Sequence, residues 1–295
     1  MNEIFLYYNY PALLCNHCLD FPKNYYEKMG LFPKHNFNGL NTNNVKKYDL
    51  IFVKNDLVEN FFQNYYKNIR EPFFLFSGNG GFDIGHQYKH YLNEGKILMW
   101  FGTNILWQHP RVFKLPIGFE ELERCVGGTA SCGGKHEGGD QNTLTSIYNA
   151  RKKFKDKKHK IMVTHMGLTH PSRKHIKDFI DKNEFVEMAP CFRFDKYMEN
   201  INEYKFVLCP RGNGTDTHRF WEVLLNGSVP IVDKNGINDL QDNFPCIIVN
   251  SYDEITKETI DNFVIDKEKF KNIDRYLKIQ EFKKMITEKI NECKK

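Results

Sequence analysis

Short apolar runs, separated by polar segments, recur along the first part of the chain. Four of them stand at 49–53, 72–76, 97–101 and 112–116. Apolar runs of this length that end at glycine or other turn-forming residues are typical of strands buried on both faces of a parallel sheet. The aromatic-rich polar segment 56–69 fits a helix between two such strands. We therefore predict an α/β domain here.

The same alternation begins again in the second half of the chain. Five further apolar runs predict strands, at 161–164, 185–189, 205–209, 228–232 and 246–249. Segments that fit helices stand between them, one beginning near Pro171 and another at 194–201. Strands that alternate with helices in both halves predict two Rossmann-like α/β domains with parallel sheets.

A Gly-rich stretch between Gly118 and Gln141 separates the two halves. Its six glycines and weak apolar periodicity are typical of a linker or a long exposed loop. From Tyr276 to Glu292, apolar residues recur at intervals of three and four, which predicts an amphipathic helix able to pack back across the first domain. The predicted boundaries are 1–120 for the first domain, 121–157 for the linker and a connecting helix, 158–270 for the second domain and 271–295 for the C-terminal helix.

Composition supports a folded chain and argues against a membrane or secreted protein. The 295 residues are 41% hydrophobic, 27% charged and 15% aromatic, as in soluble globular proteins. No window reaches the roughly 18–20 apolar residues of a membrane span. The N-terminus carries Glu3 and no basic stretch ahead of its apolar residues, so no signal peptide is expected. We therefore expect a cytoplasmic protein.

The net charge is slightly positive and unevenly distributed. Forty-two Lys and Arg against 37 Asp and Glu leave +5, and most of the excess lies in the run 151–160. A nucleic-acid-binding protein needs a wider basic stripe or a DNA-binding motif. We therefore predict no nucleic-acid partner. We expect the charged side chains of this run to form the solvent-exposed face of a helix that leads into the strand at 161–164. The oligomeric state does not follow from the sequence.

Cysteine spacing gives only weak support for a metal site. Cys15 and Cys18, with His17 between them, could form half of a zinc site, but the remaining ligands lack the close spacing of zinc modules. We expect buried, reduced thiols and no metal. The second half of such a site would come from Cys125, Cys132 and His136.

The segment 205–232 carries the pattern that most favours a ligand site. A buried strand runs into a Gly-containing loop, and a helix follows at once with Asp216 or Thr217 as its N-cap. Gly212 and Gly214 allow the backbone to approach a ligand, and the helix N-terminus favours an anion. Arginine guanidinium groups suit phosphate oxygens. Together with Arg211 and Arg219, the loop is predicted to hold a diphosphate.

Within the helix, His218 and Glu222 share one face because they are four residues apart. A carboxylate near a helix start can accept hydrogen bonds from sugar or ribose hydroxyls beside a bound diphosphate. It can equally form a solvated ion pair with Arg219. The spacing alone leaves both interpretations open.

The block CPRGNGTDTHRFWEVLLNGSVPIV at 209–232 resembles the C-terminal half of the exostosin-like glycosyltransferases, especially the short forms encoded by large DNA viruses. The segment HPRVFKLPIGFE at 109–120 is similar to the signature that closes their first domain. The resemblance covers roughly residues 70–265. The Gly-rich insertion at 127–139 is not part of the family pattern, so its role is left open.

The resemblance implies a GT-B architecture, in which two Rossmann-like domains face each other across a central cleft. It implies an inverting hexosyl- or pentosyltransferase that moves a sugar from a nucleotide-diphosphate sugar to a hydroxyl of a glycan acceptor. A UDP-sugar is expected, UDP-xylose among the candidates. Carried onto this chain, the donor-binding residues are Thr164, Arg173, Arg211, Gly212, Asn213, Gly214, Asp216, Thr217, His218, Arg219 and Glu222.

The absence of any Asp-x-Asp tripeptide agrees with this architecture, because metal-dependent sugar transferases of the other major fold hold their cation through that motif. Arginines and the helix dipole would then neutralise the leaving diphosphate. We therefore predict a metal-independent reaction and no cofactor. Arg173, on the helix after the strand at 161–164, could be such a cation or an ordinary solvated arginine.

Inverting transfer needs a base that takes the proton of the acceptor hydroxyl. Candidates should follow strands of the first domain, because open α/β sheets bind ligands at their carboxyl edge. Asp83 is the first choice since it stands in a Gly-rich loop after a strand, although it could instead cap that loop. His86 is second and Glu120 third. The expected acceptor-side residues are Ser77, Asn79, Asn104 and His109.

Two other classes of function stay open. A nucleotide-sugar epimerase or hydrolase on the same fold would convert the donor without an acceptor. A non-catalytic protein would only bind a nucleotide or a glycan, or would bind nucleic acid through 151–160 with a steep dependence on salt.

Overall fold

The computed structural model describes residues 4–7, 9–28, 39–120, 141–164, 168–190, 194–234 and 239–295. Three features that the sequence raised lie outside these residues. They are the Gly-rich insertion at 127–139, the linker residues 121–140 that surround it, and the potential zinc ligands Cys125, Cys132 and His136.

The first half of the chain forms a five-stranded sheet in which the strands follow their order in the sequence, and every neighbouring pair is parallel. The central strand is buried at every position, which explains its uninterrupted apolar run. The edge strand β1 was not predicted, since it is only three residues long. The strands are β1 His17–Leu19, β2 Leu50–Lys54, β3 Phe73–Gly78, β4 Ile97–Gly102 and β5 Val112–Lys114.

The second half forms another five-stranded parallel sheet, with the order β10-β9-β8-β6-β7. The prediction of two parallel sheets is therefore confirmed. Its strands are β6 Lys158–Val163, β7 Val186–Met188, β8 Tyr204–Leu208, β9 Val229–Asp233 and β10 Ile247–Val249.

Helices connect the strands in both halves. The segment predicted as one helix at 56–69 is instead a succession of short turns, in which α3 continues as the π-helix Phe61–Tyr65 and the 3-10 helix Tyr66–Asn68. The α-helices are α1 Tyr10–Leu13, α2 Lys23–Lys28, α3 Val58–Asn60, α4 His90–Asn93, α5 Gln141–Ala150, α6 Ile176–Lys182, α7 Phe194–Glu203, α8 His218–Leu225, α9 Lys257–Asp261, α10 Lys267–Leu277 and α11 Ile279–Cys293.

The C-terminal segment is two helices, because Lys278 adopts an extended conformation between α10 and α11. Ile273 and Leu277 of α10 belong to the apolar core of the second half. The apolar face of α11 packs with Phe52, Phe74 and Phe101 of the first sheet. The chain thus crosses from one half to the other at Lys278.

The N-terminal residues run beside this crossing. The Leu6 N–H donates to the Leu277 carbonyl at 2.6 Å, and the Leu6 carbonyl accepts from the Phe119 N–H at 2.9 Å. Gly118 lies against the same carbonyl with a φ of +69°, and a Cβ there would be 2.5 Å from the Leu6 oxygen. Only glycine fits this position.

Loops at the carboxyl ends of the two sheets contact each other. The Ile117 N–H, after β5, donates to Asp216 of the second half at 2.7 Å, and the Asp216 N–H donates to Asn104, after β4, at 2.8 Å. Two parallel sheets joined in this way form a GT-B-like, two-domain α/β fold. Among the described residues, no helix is long and apolar enough to cross a bilayer.

Candidate active site between the two sheets

The predicted diphosphate loop is held in shape by an arginine from another element. Arg173 lies on the 3-10 helix Pro171–His175, where the sequence predicted the start of an α-helix. Its Nε donates to the Arg211 carbonyl at 2.8 Å, and its Nη2 donates to the Pro210 carbonyl at 3.3 Å. Burial and the nearby Arg219 lower the pKa of Arg173 to about 10. The structure therefore brings Arg173, Arg211 and Arg219 together around one loop.

Glu222 is buried rather than solvated, with 8% of its surface exposed. The Tyr197 hydroxyl, from α7, donates to its Oε2 at 2.8 Å. Burial, followed by the charge of Glu222, raises the pKa of Tyr197 well above its usual range. Burial lowers the pKa of Arg219, but Tyr197, Cys209 and Glu222 more than offset this, so its net shift is upward. The charge of Glu222 thus acts on Arg219, as one interpretation of the sequence held, but Glu222 is buried and the pair is not solvated.

Asp216 points into protein rather than toward a ligand. Its Oδ2 accepts from the Ile117 N–H at 2.7 Å and its Oδ1 from the Trp221 indole at 2.8 Å, and the residue is 3% exposed. Burial raises its pKa to about 7. Thr217 is the N-cap of α8, and its side chain makes no capping hydrogen bond. Asp216 thus joins the two sheets, and α8 begins two residues later at His218.

Asp83, the first candidate for the base, contacts the diphosphate loop. Its Oδ2 lies 2.7 Å from Nη2 of Arg211, and its Oδ1 accepts from the Thr215 N–H at 2.9 Å. Nearby, a Cβ on Gly81 would be 3.1 Å from Cβ of Asn213, so the two loops are in close contact. The structure therefore places this carboxylate beside residues that were predicted to bind the donor, with both oxygens engaged.

The second and third candidates for the base lie in different environments. His86 is exposed on the 3-10 helix His86–Tyr88. Glu120 lies 3.5 Å from Nε2 of His218. Nδ1 of His218 donates to the Gly118 carbonyl at 2.8 Å. Glu120 and His218 are therefore neighbours where the two halves of the chain meet.

The four expected acceptor-side residues are not all together. Ser77 is fully buried, and its hydroxyl accepts from the Trp100 indole at 2.9 Å. Asn104 bonds the Thr215 hydroxyl and the Asp216 N–H through its side-chain oxygen. His109 borders a separate groove of about 600 Å³, beside the Lys114–Asp239 ion pair. Asn79 follows β3 and is 1% exposed.

Three residues at the sheet edges were not identified from the sequence. Lys54 ends β2 and is buried, although a lysine at the end of an apolar run ordinarily reaches solvent. Asp233 ends β9 and is also buried, and Tyr252 lies beside it. Burial, followed by the charge of Asp233, raises the pKa of Tyr252. Thr164, by contrast, was predicted, and it is buried directly after β6.

Several side chains of the basic run at 151–160 form ion pairs or are buried. Lys152 lies 2.6 Å from Glu203, and Lys160 lies 2.5 Å from Glu187. Lys157 is 4% exposed, and burial lowers its pKa to about 7. Arg151, Lys153 and Lys155 of the same run are exposed.

No three His, Cys, Asp or Glu side chains of the described part of the chain are close enough to hold a metal ion. Cys15 and Cys18 are free thiols whose pKa values are raised by burial. Such thiols are poor nucleophiles near neutral pH.

Solved structures to which this chain is similar include an O-GlcNAc transferase and a UDP-GlcNAc 2-epimerase. The pneumococcal O-GlcNAc transferase GtfA, in complex with UDP and GlcNAc, is 9% identical with a TM-score of 0.39, and the match covers 85% of this chain. This chain spans 58% of the length of GtfA. UDP-GlcNAc 2-epimerase from Methanocaldococcus jannaschii is 12% identical with a TM-score of 0.32, and the match covers 95% of this chain and 96% of that one.

No protein-family model matches the chain, and no curated protein matches it in sequence. The exostosin resemblance of 209–232 and 109–120 therefore stays a prediction. The function is accordingly inferred from the residues of the site.

Proposed function

We propose that the chain is an inverting glycosyltransferase that moves a sugar from a UDP-sugar to a hydroxyl of a glycan acceptor. One observation supports this proposal above the others. Three arginines, Arg173, Arg211 and Arg219, surround the Gly-containing loop at the carboxyl end of β8, and this loop faces the carboxyl edge of the first sheet. A cluster of cations at a helix start suits a diphosphate, and the opposite edge suits an acceptor.

Arg211 has two anionic partners in this proposal. In the structure it pairs with Asp83. When the donor binds, the guanidinium turns to the diphosphate, and the Asp83 carboxylate becomes available. Arginine and the helix dipole then stabilise the charge that develops on the leaving diphosphate, without a metal ion.

Asp83 acts as the base in this scheme. The acceptor oxygen forms a bond to the anomeric carbon, and the acceptor proton passes to Asp83. The bond from that carbon to the diphosphate oxygen breaks, and its electron pair leaves with the diphosphate. The Thr215 N–H, which donates to Asp83 at 2.9 Å, holds the carboxylate in place when Arg211 leaves. Glu120, beside His218, is the alternative base.

A binding screen followed by two activity assays tests the proposal. UDP and UDP-sugars are screened by thermal shift in the presence of EDTA, and stabilisation by UDP is expected. Ligands that raise the melting temperature are then incubated with the protein, first alone and then with glycan acceptors. Transfer to an acceptor with inverted anomeric configuration supports the proposal. An epimerised donor without transfer, or no binding of any UDP compound, contradicts it.

A further inference from the structure

An aromatic pair stands at the carboxyl edge of the first sheet, in the segment after β1. Phe21 follows β1, and its ring centroid lies 4.6 Å from that of Tyr25 on α2, at an interplanar angle of 45°. Tyr25 is 43% exposed. The edge therefore presents an open aromatic surface.

Polar groups from the next two strands surround this surface. The Lys54 ammonium lies 5.5 Å from the Phe21 centroid, donates to the Asn79 carbonyl and is 3.5 Å from Oδ2 of Asp56. Asp20 accepts from the Asn79 side-chain amide at 3.4 Å and from the Phe21 N–H at 2.6 Å. Loops after three adjacent strands thus contribute to one cluster. We call Asp20, Phe21, Tyr25, Lys54, Asp56 and Asn79 the edge cluster.

Asn79 supplies the observation that points to a ligand. It is 1% exposed, and among the residues that the structure describes no donor reaches its Oδ1. Its φ of +50° lies in the left-handed region, which is uncommon for a residue other than glycine. A buried amide oxygen without a partner is rare in native proteins, and strained backbone concentrates at functional sites. Both features occur here on one residue, inside the edge cluster.

The charges of the edge cluster select the kind of ligand. One ammonium, from Lys54, is accompanied by the two carboxylates of Asp20 and Asp56. This excess of negative charge repels phosphates and acidic sugars. Carboxylate, ammonium and amide groups instead suit hydroxyls, and an aromatic face suits the C–H face of a sugar ring.

We propose that the edge cluster is the binding site for a neutral pyranose of the acceptor glycan. The ring of the sugar stacks on the Phe21–Tyr25 pair, and its hydroxyls bind Asp20, Lys54 and Oδ1 of Asn79. This inference rests on the proposed glycosyltransferase function. The position of the edge cluster agrees with that function, because the loop that carries Asn79 also carries Asp83, which contacts Arg211.

Saturation-transfer NMR tests the site directly, without turnover. The probes are the methyl pyranosides of xylose, glucose, galactose and mannose, each with saturating UDP. Tyr25→Ala removes the exposed ring, and Lys54→Met removes the ammonium. Lys96→Met is the matched control, since Lys96 also donates to backbone carbonyls and lies over an aromatic ring, but at the opposite edge of the sheet. Thermal unfolding of each variant verifies that it is folded.

At least one glycoside is expected to bind wild type, and Tyr25→Ala is expected to weaken it by about ten-fold, the scale of a lost aromatic contact. Lys54→Met should act in the same direction, and Lys96→Met should bind like wild type. Absence of glycoside binding to wild type overturns the inference, and so does a Tyr25→Ala affinity equal to that of wild type. UDP binding in the same samples separates this failure from failure of the proposed function, which would abolish the response to UDP itself.

Discussion

The Asp83 carboxylate of the first domain lies 2.7 Å from the Arg211 guanidinium of the second. The two side chains are 18% and 13% exposed, so water screens the pair only partly. Each was predicted for a different role, Asp83 as the base and Arg211 as a diphosphate ligand. In the proposed mechanism, this contact couples donor binding to release of the base through a single guanidinium group.

Asp83→Asn tests the role of the carboxylate. The amide keeps the size of the side chain but takes no proton, so kcat is expected to fall by about 10²–10⁴-fold. The affinity for UDP should rise, because Arg211 no longer has to leave a carboxylate before it turns to the diphosphate. Steady-state kinetics measure the turnover number, and calorimetric titration measures the affinity for UDP. If the variant keeps most of its turnover number, Asp83 is not the base, and Glu120→Gln should then show the loss.

Arg211→Met tests whether the arginine cluster recognises the diphosphate. The variant should bind UDP about ten-fold or more weakly, because a charge-assisted contact is lost. Binding of uridine, which has no phosphates, should not change. Calorimetric titration with both ligands measures the difference. Lys174→Met is the control, since Lys174 is an exposed cation next to Arg173, and equal losses in both variants would point to a general charge effect.

The raised pKa of Asp216 predicts that the stability of the protein depends on pH. Burial raises its pKa from an ordinary value of 3.8 to about 7 in the folded protein. Between these values the folded state binds more protons than the unfolded state, so the free energy of unfolding rises as pH falls from 7 to 4. The full effect is on the order of 4 kcal/mol. Asp216→Asn should lack this contribution.

Urea unfolding at several pH values compares the two proteins. The stability of wild type relative to Asp216→Asn should increase on acidification across this window. A difference that stays constant from pH 7 to pH 4 would show that Asp216 titrates normally in the folded state. Asp242→Asn serves as a control, because that carboxylate belongs to the exposed face of a 3-10 helix.

The sequence predicted the inner strands well because both sheets are parallel and their inner strands are buried, so that each of these strands contains one apolar run. The strand β3, at Phe73–Gly78, is an example. The local apolar pattern predicted the wrong conformation where long-range contacts determine it. Apolar spacing continues through Lys278, yet the helix breaks there because α10 and α11 pack against different sheets.

Prediction of the site was likewise restricted to features that are close together in the sequence. The donor loop was visible because glycines, arginines and a helix start adjoin one another in sequence. Asp216, an aspartate at a helix start, was predicted to contact the ligand. Its carboxylate instead accepts hydrogen bonds from Ile117 and Trp221 and points into the protein. The contact of Tyr197 with Glu222 was not predicted, because the two residues lie on different helices and are 25 residues apart in the sequence.

Gly118→Ala tests the contact between the N-terminal residues and the segment that precedes Glu120. Gly118 has a φ of +69°, and an added Cβ would lie 2.5 Å from the Leu6 carbonyl oxygen. Gly95 has a φ of +86° with no atom within 4 Å of its Cβ position. Gly95→Ala should therefore cost about 1 kcal/mol for its backbone alone, whereas Gly118→Ala should cost about 3 kcal/mol because the backbone must also shift. Chemical denaturation measures both, and equal costs would mean that Leu6 moves away freely.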